Sequence, residues 1–282
     1  MRISVTGATG FVGQHLVPCL LAHGHSVTAL SRTRESFERF DWHNLVEFIQ
    51  CDVHRCEADT VRRLAESDIV IHLAWPGLPN YGDVFHFEDN YRASYDFLKA
   101  LMESGLRRLL VTGTCFEYGL QNGCLTEEHP ATPVNSYGIA KDFLRRSLEV
   151  IAQKLSVKLC WARLFYMYGV GQNANSLLAQ LDAALLRGDT AFRMSGGEQL
   201  RDYLPVSAVA DDLRCLAEND DATGVFNISS GKPTSVRNLV ESRLKQQQAS
   251  INLDLGYYPY SVHEPLAFWG DRRKLDALLV KT

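Results

Sequence analysis

Three glycines spaced three residues apart, Gly7, Gly10 and Gly13, follow a short apolar strand at the start of the chain and precede a helix pattern. Glycine has no Cβ atom. One such residue therefore lets the chain turn sharply, a second lets the backbone approach a pyrophosphate, and a third lets helix and strand pack closely. The N-terminus of the helix offers free N–H groups and the positive end of its dipole to phosphates. Strand, glycines and helix in this order indicate a dinucleotide-binding unit.

Strand and helix patterns alternate through the first half of the chain. A continuous apolar run at 68–74 is typical of a strand in a parallel sheet that is covered on both faces. We therefore predict an α/β fold, a Rossmann-type doubly wound parallel sheet with a smaller C-terminal substrate-binding lobe. Residues 1–164 are expected to form the dinucleotide-binding domain. Residues 165–282 are expected to form mainly the lobe, with segments around 201–230 returning to the first domain.

The individual elements are placed by the same patterns of apolar residues. The predicted strands are 3–6, 25–30, 46–50, 68–74, 108–112 and 157–164, with shorter ones near 191–194 and 225–228. The predicted helices are 12–22, 57–66, 90–104, 136–155, 176–186 and 235–246.

The composition argues against several classes of function. A formal net charge of −4 among 282 residues gives no reason to expect nucleic-acid or membrane-surface binding. No apolar run approaches the length of a membrane span, and a strand that begins at residue 2 leaves no room for a signal peptide. The seven cysteines are odd in number and lack a CxxC pair, so we expect reduced thiols in a cytoplasmic protein. We expect no metal site, because no second ligand cluster accompanies Cys51, His54 and Cys56.

A tyrosine and a lysine four residues apart, Tyr137 and Lys141, lie on one face of a predicted helix. An ammonium group beside a phenol favours the phenolate and lowers the pKa of the tyrosine. Tyr137 is thereby expected to act as an acid or base near neutral pH. Thr114 follows the predicted strand 108–112, and ligands of such sheets bind at the carboxyl ends of strands. Its hydroxyl would polarise a substrate oxygen beside Tyr137, or would cap a turn.

These pieces resemble the extended short-chain dehydrogenase/reductase family, and more narrowly its nucleotide-sugar epimerase, dehydratase and 4-ketoreductase branch. The resemblance covers essentially the whole chain, and the order of its motifs is more specific than any one of them. It depends on the segments 6–13, 51–53, 72–74, 112–119, 137–141, 163–169, 201–203 and 226–228.

The resemblance implies a role for each residue at a matching position. Thr114, Tyr137 and Lys141 match the catalytic triad of the family. Arg201 matches an arginine that commonly holds the substrate pyrophosphate, for which a guanidinium fork is suited. The alternative for Arg201 is a surface ion pair with Asp202.

The same resemblance also implies which residues surround the cofactor and the substrate. For Ser31 and Arg32, the argument from the end of the second strand, given below, is added. The cofactor is expected to contact Tyr137 and Lys141 together with Gly7, Thr9, Gly10, Phe11, Val12, Gly13, Ser31, Arg32, Asp52, Val53, Leu73 and Ala74. The substrate is expected to contact Trp75, Tyr166, Phe192, Arg201 and Arg272, with Phe85 and His86 as further candidates for the pocket. Core packing explains the aromatic residues almost as well.

Several departures from the family narrow the reaction. Dehydratases of the branch place an Asp-Glu pair directly after the catalytic threonine, where this chain has Cys115, interpreted as a packing residue, and Phe116. The 3,5-epimerising reductases place a cysteine where Phe116 stands and a histidine near Gly171, and both are absent. Tyr166 replaces an asparagine that contacts the substrate diphosphate in many members, which suggests a differently shaped pocket. Glu117 occupies a position that is usually apolar in the family. Two alternatives are expected for its side chain, a contact with the substrate or exposure to solvent.

The end of the second strand bears on the choice of cofactor. NAD-specific sites usually place a carboxylate there to bind the ribose hydroxyls, and none stands at the end of this strand. Ser31 and Arg32, assisted by Arg34, would instead bind a 2′-phosphate. NADP(H) is therefore favoured. NAD(H) remains possible, since Arg32 would also stack on the adenine of either cofactor.

The expected reaction is the NADPH-dependent reduction of the C4 carbonyl of a nucleotide-activated (dTDP or CDP) 4-keto-6-deoxyhexose in deoxysugar biosynthesis. Tyr137 would protonate the alkoxide that develops on C4, while Thr114 hydrogen-bonds that oxygen. An NAD-dependent nucleotide-sugar C4-epimerase needs the same triad. A noncatalytic NADP-binding sensor would commonly lack Tyr137 or Lys141. The helices near 90–104 and 136–155 match those that pair two subunits in relatives, so a homodimer is expected.

Overall fold

The computed structural model describes residues 1–261 and 264–280. That part of the chain contains fifteen strands and nine α-helices. The strands are β1 (Arg2–Thr6), β2 (Ser26–Ser31), β3 (Glu47–Gln50), β4 (Ile69–His72), β5 (Arg108–Thr114), β6 (Gly123–Leu125), β7 (Lys158–Leu164), β8 (Tyr166–Tyr168), β9 (Ala191–Arg193), β10 (Leu200–Arg201), β11 (Tyr203–Pro205), β12 (Gly224–Ile228), β13 (Thr234–Ser235), β14 (Asn252–Asp254) and β15 (Phe268–Gly270). The α-helices are α1 (Gly13–Ala22), α2 (Arg34–Glu38), α3 (Ala58–Ala65), α4 (Arg92–Glu103), α5 (Ser136–Leu155), α6 (Leu177–Arg187), α7 (Val206–Glu218), α8 (Val236–Gln246) and α9 (Arg273–Leu279).

Seven strands form one parallel sheet in the order β12-β7-β5-β4-β1-β2-β3. The strand order reverses between β1 and β4, and ligands of such sheets bind outside the carboxyl ends of the strands at that point. The predicted doubly wound α/β fold is confirmed. β12 comes from the C-terminal part of the chain and pairs with β7, where Ile228 lies opposite Leu164.

The sheet strands are apolar on both faces because a layer of helices covers each face. On one face Val5 of β1 packs in one cluster with Leu16 of α1 and Leu213 of α7. On the other face Val111 of β5 packs in a second cluster with Leu98 of α4. All five side chains are completely buried, and each contributes roughly 1.5–3 kcal/mol to folding by leaving water. These two layers fix the strand ends at which the site lies.

A third apolar cluster forms the core of the C-terminal lobe. Leu178 and Leu181 of α6 pack there with Phe192 of β9 and Val240 of α8. The cluster shares no residue with the two that cover the sheet. The lobe therefore has apolar contacts of its own.

Asp202 ties the lobe to the end of β12. Its carboxylate is fully buried and accepts the backbone N–H of Ser230 at 2.6 Å and that of Gly231 at 3.0 Å. A buried carboxylate needs such donors, because desolvation without them is costly. The alternative predicted above, a surface ion pair between Arg201 and Asp202, is therefore wrong.

The structure differs from the predicted elements mainly at α7. No helix is predicted at Val206–Glu218, although apolar residues recur there at 206, 209, 210, 213, 216 and 217, the spacing of a helix. The predicted helix 90–104 corresponds to α4 preceded by a π-helical turn, His86–Tyr91. Among the described residues, no helix has both the length and the apolar character needed to cross a membrane.

Candidate active site

The glycine-rich turn between β1 and α1 leaves no space for side chains. Gly7 has a φ of +68°, and a Cβ atom there would lie 2.9 Å from the backbone nitrogen of Ala74. A Cβ atom on Gly13 would lie 2.3 Å from the carbonyl oxygen of Gly7. No side chain caps the first turn of α1, although the backbone N–H groups of Gln14 and His15 donate to the carbonyl oxygens of Gly10 and Val12. The positive end of the helix dipole is thus open to an anion. The turn therefore fits the pyrophosphate of a dinucleotide.

A cavity of about 930 Å³ opens at the carboxyl ends of the sheet strands. Its walls include the twelve predicted cofactor residues that lie outside the triad, and also Thr114, Tyr137 and Lys141. The volume is within the range of cofactor and ligand clefts, roughly 300–1,000 Å³. The cavity thus connects the glycine-rich turn with the predicted catalytic residues.

A chain of hydroxyl groups lines the cavity where β2 ends. Thr9 Oγ1 lies 3.0 Å from Ser31 Oγ, which lies 2.7 Å from Ser36 Oγ. Arg32 and Arg39 line the cavity beside them. Sequence reasoning missed Ser36 and Arg39, because the five residues of α2 are too few to show a helical period.

The predicted triad comes from two neighbouring elements. Thr114 ends β5, whereas Tyr137 and Lys141 lie one turn apart at the start of α5. The Asn135 side chain caps this helix by accepting the backbone N–H of Gly138 at 2.8 Å. All three triad side chains are buried, and the Thr114 hydroxyl lies close enough to the Tyr137 phenol to lower its pKa, against the larger effect of burial. A hydroxyl and a phenol therefore converge at the inner wall of the cavity.

The prediction that Lys141 lowers the pKa of Tyr137 is wrong for this arrangement. Lys141 Nζ donates to the carbonyl oxygen of Thr112 at 2.9 Å and lies 4.0 Å from the ring centre of Trp75. Burial instead raises the pKa of Tyr137 above its usual value. Tyr137 is therefore protonated near neutral pH, which is the state that a proton donor needs. Burial also lowers the pKa of Lys141, to about 7.

Trp75 is oriented by a histidine on the π-helical turn. Its indole N–H donates to His86 Nδ1 at 3.1 Å, and His86 Nε2 lies 3.0 Å from the carbonyl oxygen of Asn80. These contacts assign the proton of His86 to Nε2, and burial lowers the pKa of this histidine. Phe85 packs against His86 with ring centres 4.3 Å apart and the ring planes tilted by 45°. Phe85 and His86 thus hold Trp75 in place, and the Lys141 ammonium group lies over the Trp75 ring.

Aromatic side chains surround the Tyr137 phenol. The ring centres of Tyr81 and Phe116 lie 5.7 and 6.4 Å from that of Tyr137, and Tyr166 lies 6.3 Å from Phe116. Phe116 places an apolar ring where the resemblance puts a carboxyl group in the dehydratases. Cys115 is buried, and burial raises the pKa of its thiol. It is therefore a neutral side chain in the cavity wall rather than an acid or base.

Glu117 lies behind Thr114, away from both the cavity and the solvent. Its side chain is fully buried, and it accepts the backbone N–H of Thr114 and donors from Trp161 and Arg163. The two alternatives predicted for Glu117, a substrate contact and a solvated side chain, are both wrong.

The predicted substrate residues separate into two groups. Trp75 and Tyr166 line the cavity. Phe192 lies in the apolar core of the lobe. Arg272 forms a two-pronged ion pair with Asp212, both distances being 2.7 Å. The structure does not bring Phe192, Arg201 or Arg272 to the cavity wall.

Arg201 lies next to Tyr166 and is only 5% exposed. Its Nη1 donates to the carbonyl oxygens of Leu200 and Leu266 at 2.9 and 3.1 Å. The guanidinium carbon lies 4.9 Å from the ring centre of Phe268. Protein groups therefore surround most of the guanidinium.

Known proteins share this fold. The family model described as "NAD dependent epimerase/dehydratase family" matches residues 3–229. A dTDP-6-deoxy-L-talose 4-dehydrogenase (NAD(+)) from Aggregatibacter actinomycetemcomitans is 30% identical, covering 96% of this chain and 99% of that protein. A dTDP-6-deoxy-L-talose 4-dehydrogenase (NAD(P)(+)) from Kitasatospora kifunensis is 28% identical, covering 87% and 79%. The solved structure of MoeE5 in complex with UDP-glucuronic acid and NAD is 26% identical, with a TM-score of 0.84 and coverage of 99% and 93%.

Proposed function

Since the chain belongs to the NAD dependent epimerase/dehydratase family, among the extended short-chain dehydrogenases/reductases, we propose that it reduces the C4 carbonyl of a nucleotide-activated 4-keto-6-deoxyhexose with NADPH. The observation that carries the proposal is that Thr114, Tyr137 and Lys141 line one cavity, which begins at the glycine-rich turn. A protonated phenol and a second hydroxyl are the groups needed at the oxygen of a carbonyl that is being reduced.

The names of the two relatives support C4 as the reacting atom. Both act as 4-dehydrogenases of dTDP-6-deoxy-L-talose. Removing a hydride from a C4 alcohol is the reverse of reducing a C4 ketone, and an enzyme stabilises the same transition state in both directions. A dTDP- or CDP-linked sugar is therefore the substrate class to test.

The residues present account for the proton transfer. A bound nicotinamide cofactor supplies the hydride. Tyr137, whose pKa is raised by burial, keeps its proton until negative charge develops on the C4 oxygen and then donates it. The Thr114 hydroxyl donates a hydrogen bond to the same oxygen. Phe116 offers no carboxyl group, so the elimination carried out by dehydratases lacks an acid–base residue at this position.

NADP(H) is proposed as the preferred cofactor because of the residues at the end of β2. Arg32 and Arg39 line the cavity there beside the hydroxyls of Ser31 and Ser36. Arg32 is exposed and has no ion-pair partner in the described part of the chain, so its guanidinium is available to a 2′-phosphate. NAD(H) remains the alternative, since one relative is named with NAD(+) and the MoeE5 structure holds NAD.

The test supplies purified enzyme with a dTDP- or CDP-4-keto-6-deoxyhexose and excess NADPH, and follows the absorbance of the reduced nicotinamide. A reductase consumes NADPH in proportion to the alcohol formed. A C4-epimerase interconverts two 4-hydroxy sugars with no net change in cofactor and keeps NAD bound through purification. A sensor binds NADPH and turns nothing over. Either of the last two results would overturn the proposal.

We further propose a cytoplasmic homodimer that pairs through α4 and α5. Phe143 and Val150, seven residues apart on one face of α5, are 56% and 69% exposed. The ring of Tyr91, at the start of α4, lies 6.4 Å from that of Phe143. All seven cysteines are free, which supports a reducing compartment. A Phe143→Glu variant should elute as a monomer on size exclusion, and an unchanged dimer would contradict this interface.

A further inference from the structure

The Glu117 carboxylate holds the backbone of Thr114. Its Oε1 accepts the backbone N–H of Thr114 at 2.9 Å and the indole N–H of Trp161 at 2.9 Å. Its Oε2 accepts the Nε–H of Arg163 at 2.7 Å. The Thr114 hydroxyl in turn accepts the backbone N–H of Phe116 at 3.3 Å. Both the backbone and the side chain of Thr114 are therefore held in one conformation.

The residue before Thr114 leaves space for this carboxylate. A Cβ atom on Gly113 would lie 2.4 Å from Glu117 Oε1 and 2.1 Å from Trp161 Nε1. Gly113 is not among the residues with positive φ, so space rather than backbone conformation requires glycine here. Any side chain at position 113 would therefore separate the Glu117 carboxylate from the Thr114 amide.

Stability alone does not explain a buried ion pair at this place. Desolvating a carboxylate and a guanidinium is costly, and apolar residues of similar volume are often equally or more stable. Arg163 is 2% exposed, and its Nη1 has no hydrogen-bond partner among the described residues. What the pair with Glu117 provides is a negative charge at a fixed position beside the triad.

The charge of Glu117 acts on both titrating members of the triad. A negative charge favours an ammonium group and disfavours a phenolate, so Glu117 raises the pKa of Lys141 and that of Tyr137. Burial opposes the first effect and reinforces the second. The other titratable and charged groups that face Glu117, Lys141 or Tyr137 are His72, Tyr81, His86, Cys115, Arg145 and Arg163.

We propose that Glu117 is a positioning residue for the reductase reaction, which fixes the backbone of Thr114 and places a carboxylate behind the triad. The inference rests on the proposed function, because it assigns a task within that reaction. Glu117 is fully buried and does not line the cavity, so it acts through Thr114, Lys141 and Tyr137.

Two variants separate this role from a merely structural one. Glu117→Gln keeps the shape and the acceptor oxygen but removes the charge. The double variant Glu117→Leu/Arg163→Met replaces the ion pair with apolar residues of similar volume and leaves no buried charge unpaired. The matched control, Asp182→Leu/Arg243→Met, removes a two-pronged ion pair between α6 and α8.

The variants are compared by kcat, by the pH profile of kcat, by the NADPH dissociation constant and by thermal unfolding. Both Glu117 variants should lose about tenfold to a hundredfold in kcat, the scale of a misplaced catalytic group, with unchanged NADPH binding. In Glu117→Gln the alkaline limb of the profile should move to lower pH, because both Lys141 and Tyr137 lose their proton more easily. The double variant should unfold at or above the wild-type temperature. The control pair should leave kcat and its pH profile unchanged.

A folded double variant with wild-type kcat, or a Glu117→Gln enzyme with an unshifted pH profile, would overturn the inference. A wild-type enzyme that turns over no 4-keto or 4-hydroxy nucleotide sugar would overturn the proposed function instead. In that case hydrogen exchange at the Thr114 amide decides the inference. The double variant should exchange this proton faster than the wild type, and equal exchange rates would show that Glu117 does not hold Thr114.

Discussion

The Arg201 guanidinium is paired with the carboxylate of Glu264, with Nη2 lying 2.9 Å from Oε2. The same carboxylate oxygen accepts the hydroxyl of Tyr166 at 2.8 Å. Arg201 is the residue that the family resemblance assigns to the substrate diphosphate. Since its Nη1 is held by backbone carbonyls, an anion that approaches Nη2 meets the carboxylate of Glu264. If Arg201 holds the diphosphate, as the family resemblance implies, Glu264 would compete with it.

Removing the charge of Glu264 should tighten nucleotide binding. In Glu264→Gln a neutral amide holds Arg201 less strongly than a carboxylate, so dTDP should bind about three- to tenfold more tightly, the difference between a charged and a neutral hydrogen bond. Isothermal titration with dTDP measures this, and titration with NADPH is the control that should not change. Weaker binding of dTDP would show that Glu264 itself contacts the nucleotide.

Tyr137→Phe should remove the proton donor and leave the fold intact, because the ring that packs against its aromatic neighbours remains. We expect kcat to fall by at least about a hundredfold, the scale of general acid catalysis. Turnover of the 4-keto sugar is the measurement, with NADPH binding and the unfolding temperature as controls. A folded variant with near-normal turnover would mean that another group donates the proton.

Arg32→Ala should weaken NADPH binding far more than NADH binding, since only NADPH carries the extra phosphate. Loss of a charged hydrogen bond costs about 1.5–3 kcal/mol. Arg237→Ala is the control, because Arg237 pairs with Glu241 at 2.7 Å on α8 and does not line the cavity. Both variants are titrated with both cofactors. Equal weakening of NADPH and NADH by Arg32→Ala would refute the phosphate role.

Lys141→Met should change how stability depends on pH. The pKa of Lys141 falls from 10.5 to about 7 through burial. Between these values the unfolded chain binds a proton that the folded protein lacks, so the free energy of unfolding rises with pH across this window. Below it, both states carry the proton and the full cost of burying the charge remains.

The methionine variant lacks this cost. Without cofactor, its unfolding temperature relative to that of the wild type should therefore be higher near about pH 6.5 than near about pH 9.5, while its activity is lost. Thermal unfolding of both proteins at the two pH values measures the difference. A difference that does not change with pH would show that Lys141 keeps an ordinary pKa in the folded protein.

Features determined by neighbouring residues could be predicted from the sequence. The apolar run at 68–74 gives β4, whose four residues Ile69–His72 are all buried. The glycines at 7 and 13 are required by a turn within the same short segment. Tyr137 and Lys141 share a helix face because one turn separates them. In each case the signal and the structure that it determines lie within a few residues.

Pairings between distant segments could not be predicted. Arg201 meets Glu264 across 63 positions, and Arg272 meets Asp212 across 60. Glu117 pairs with Arg163 across 46 positions. The local sequence around a charged residue does not show whether its side chain is exposed, paired or buried, because its partner lies in another element. These contacts depend on how separate helices, strands and loops are aligned with one another, and no local pattern encodes that alignment.

The position of β12 late in the sequence has a consequence for the folding of the chain during translation. Six strands of the sheet have been synthesised once Leu164 is made, but the partner of β7 ends only at Ile228. Until then the outer backbone groups of β7 have no partner within the sheet, and an open strand edge can pair with another chain. A nascent chain halted after Leu164 would therefore be prone to aggregation. Completion of the dinucleotide-binding sheet must wait for synthesis of α6 and α7.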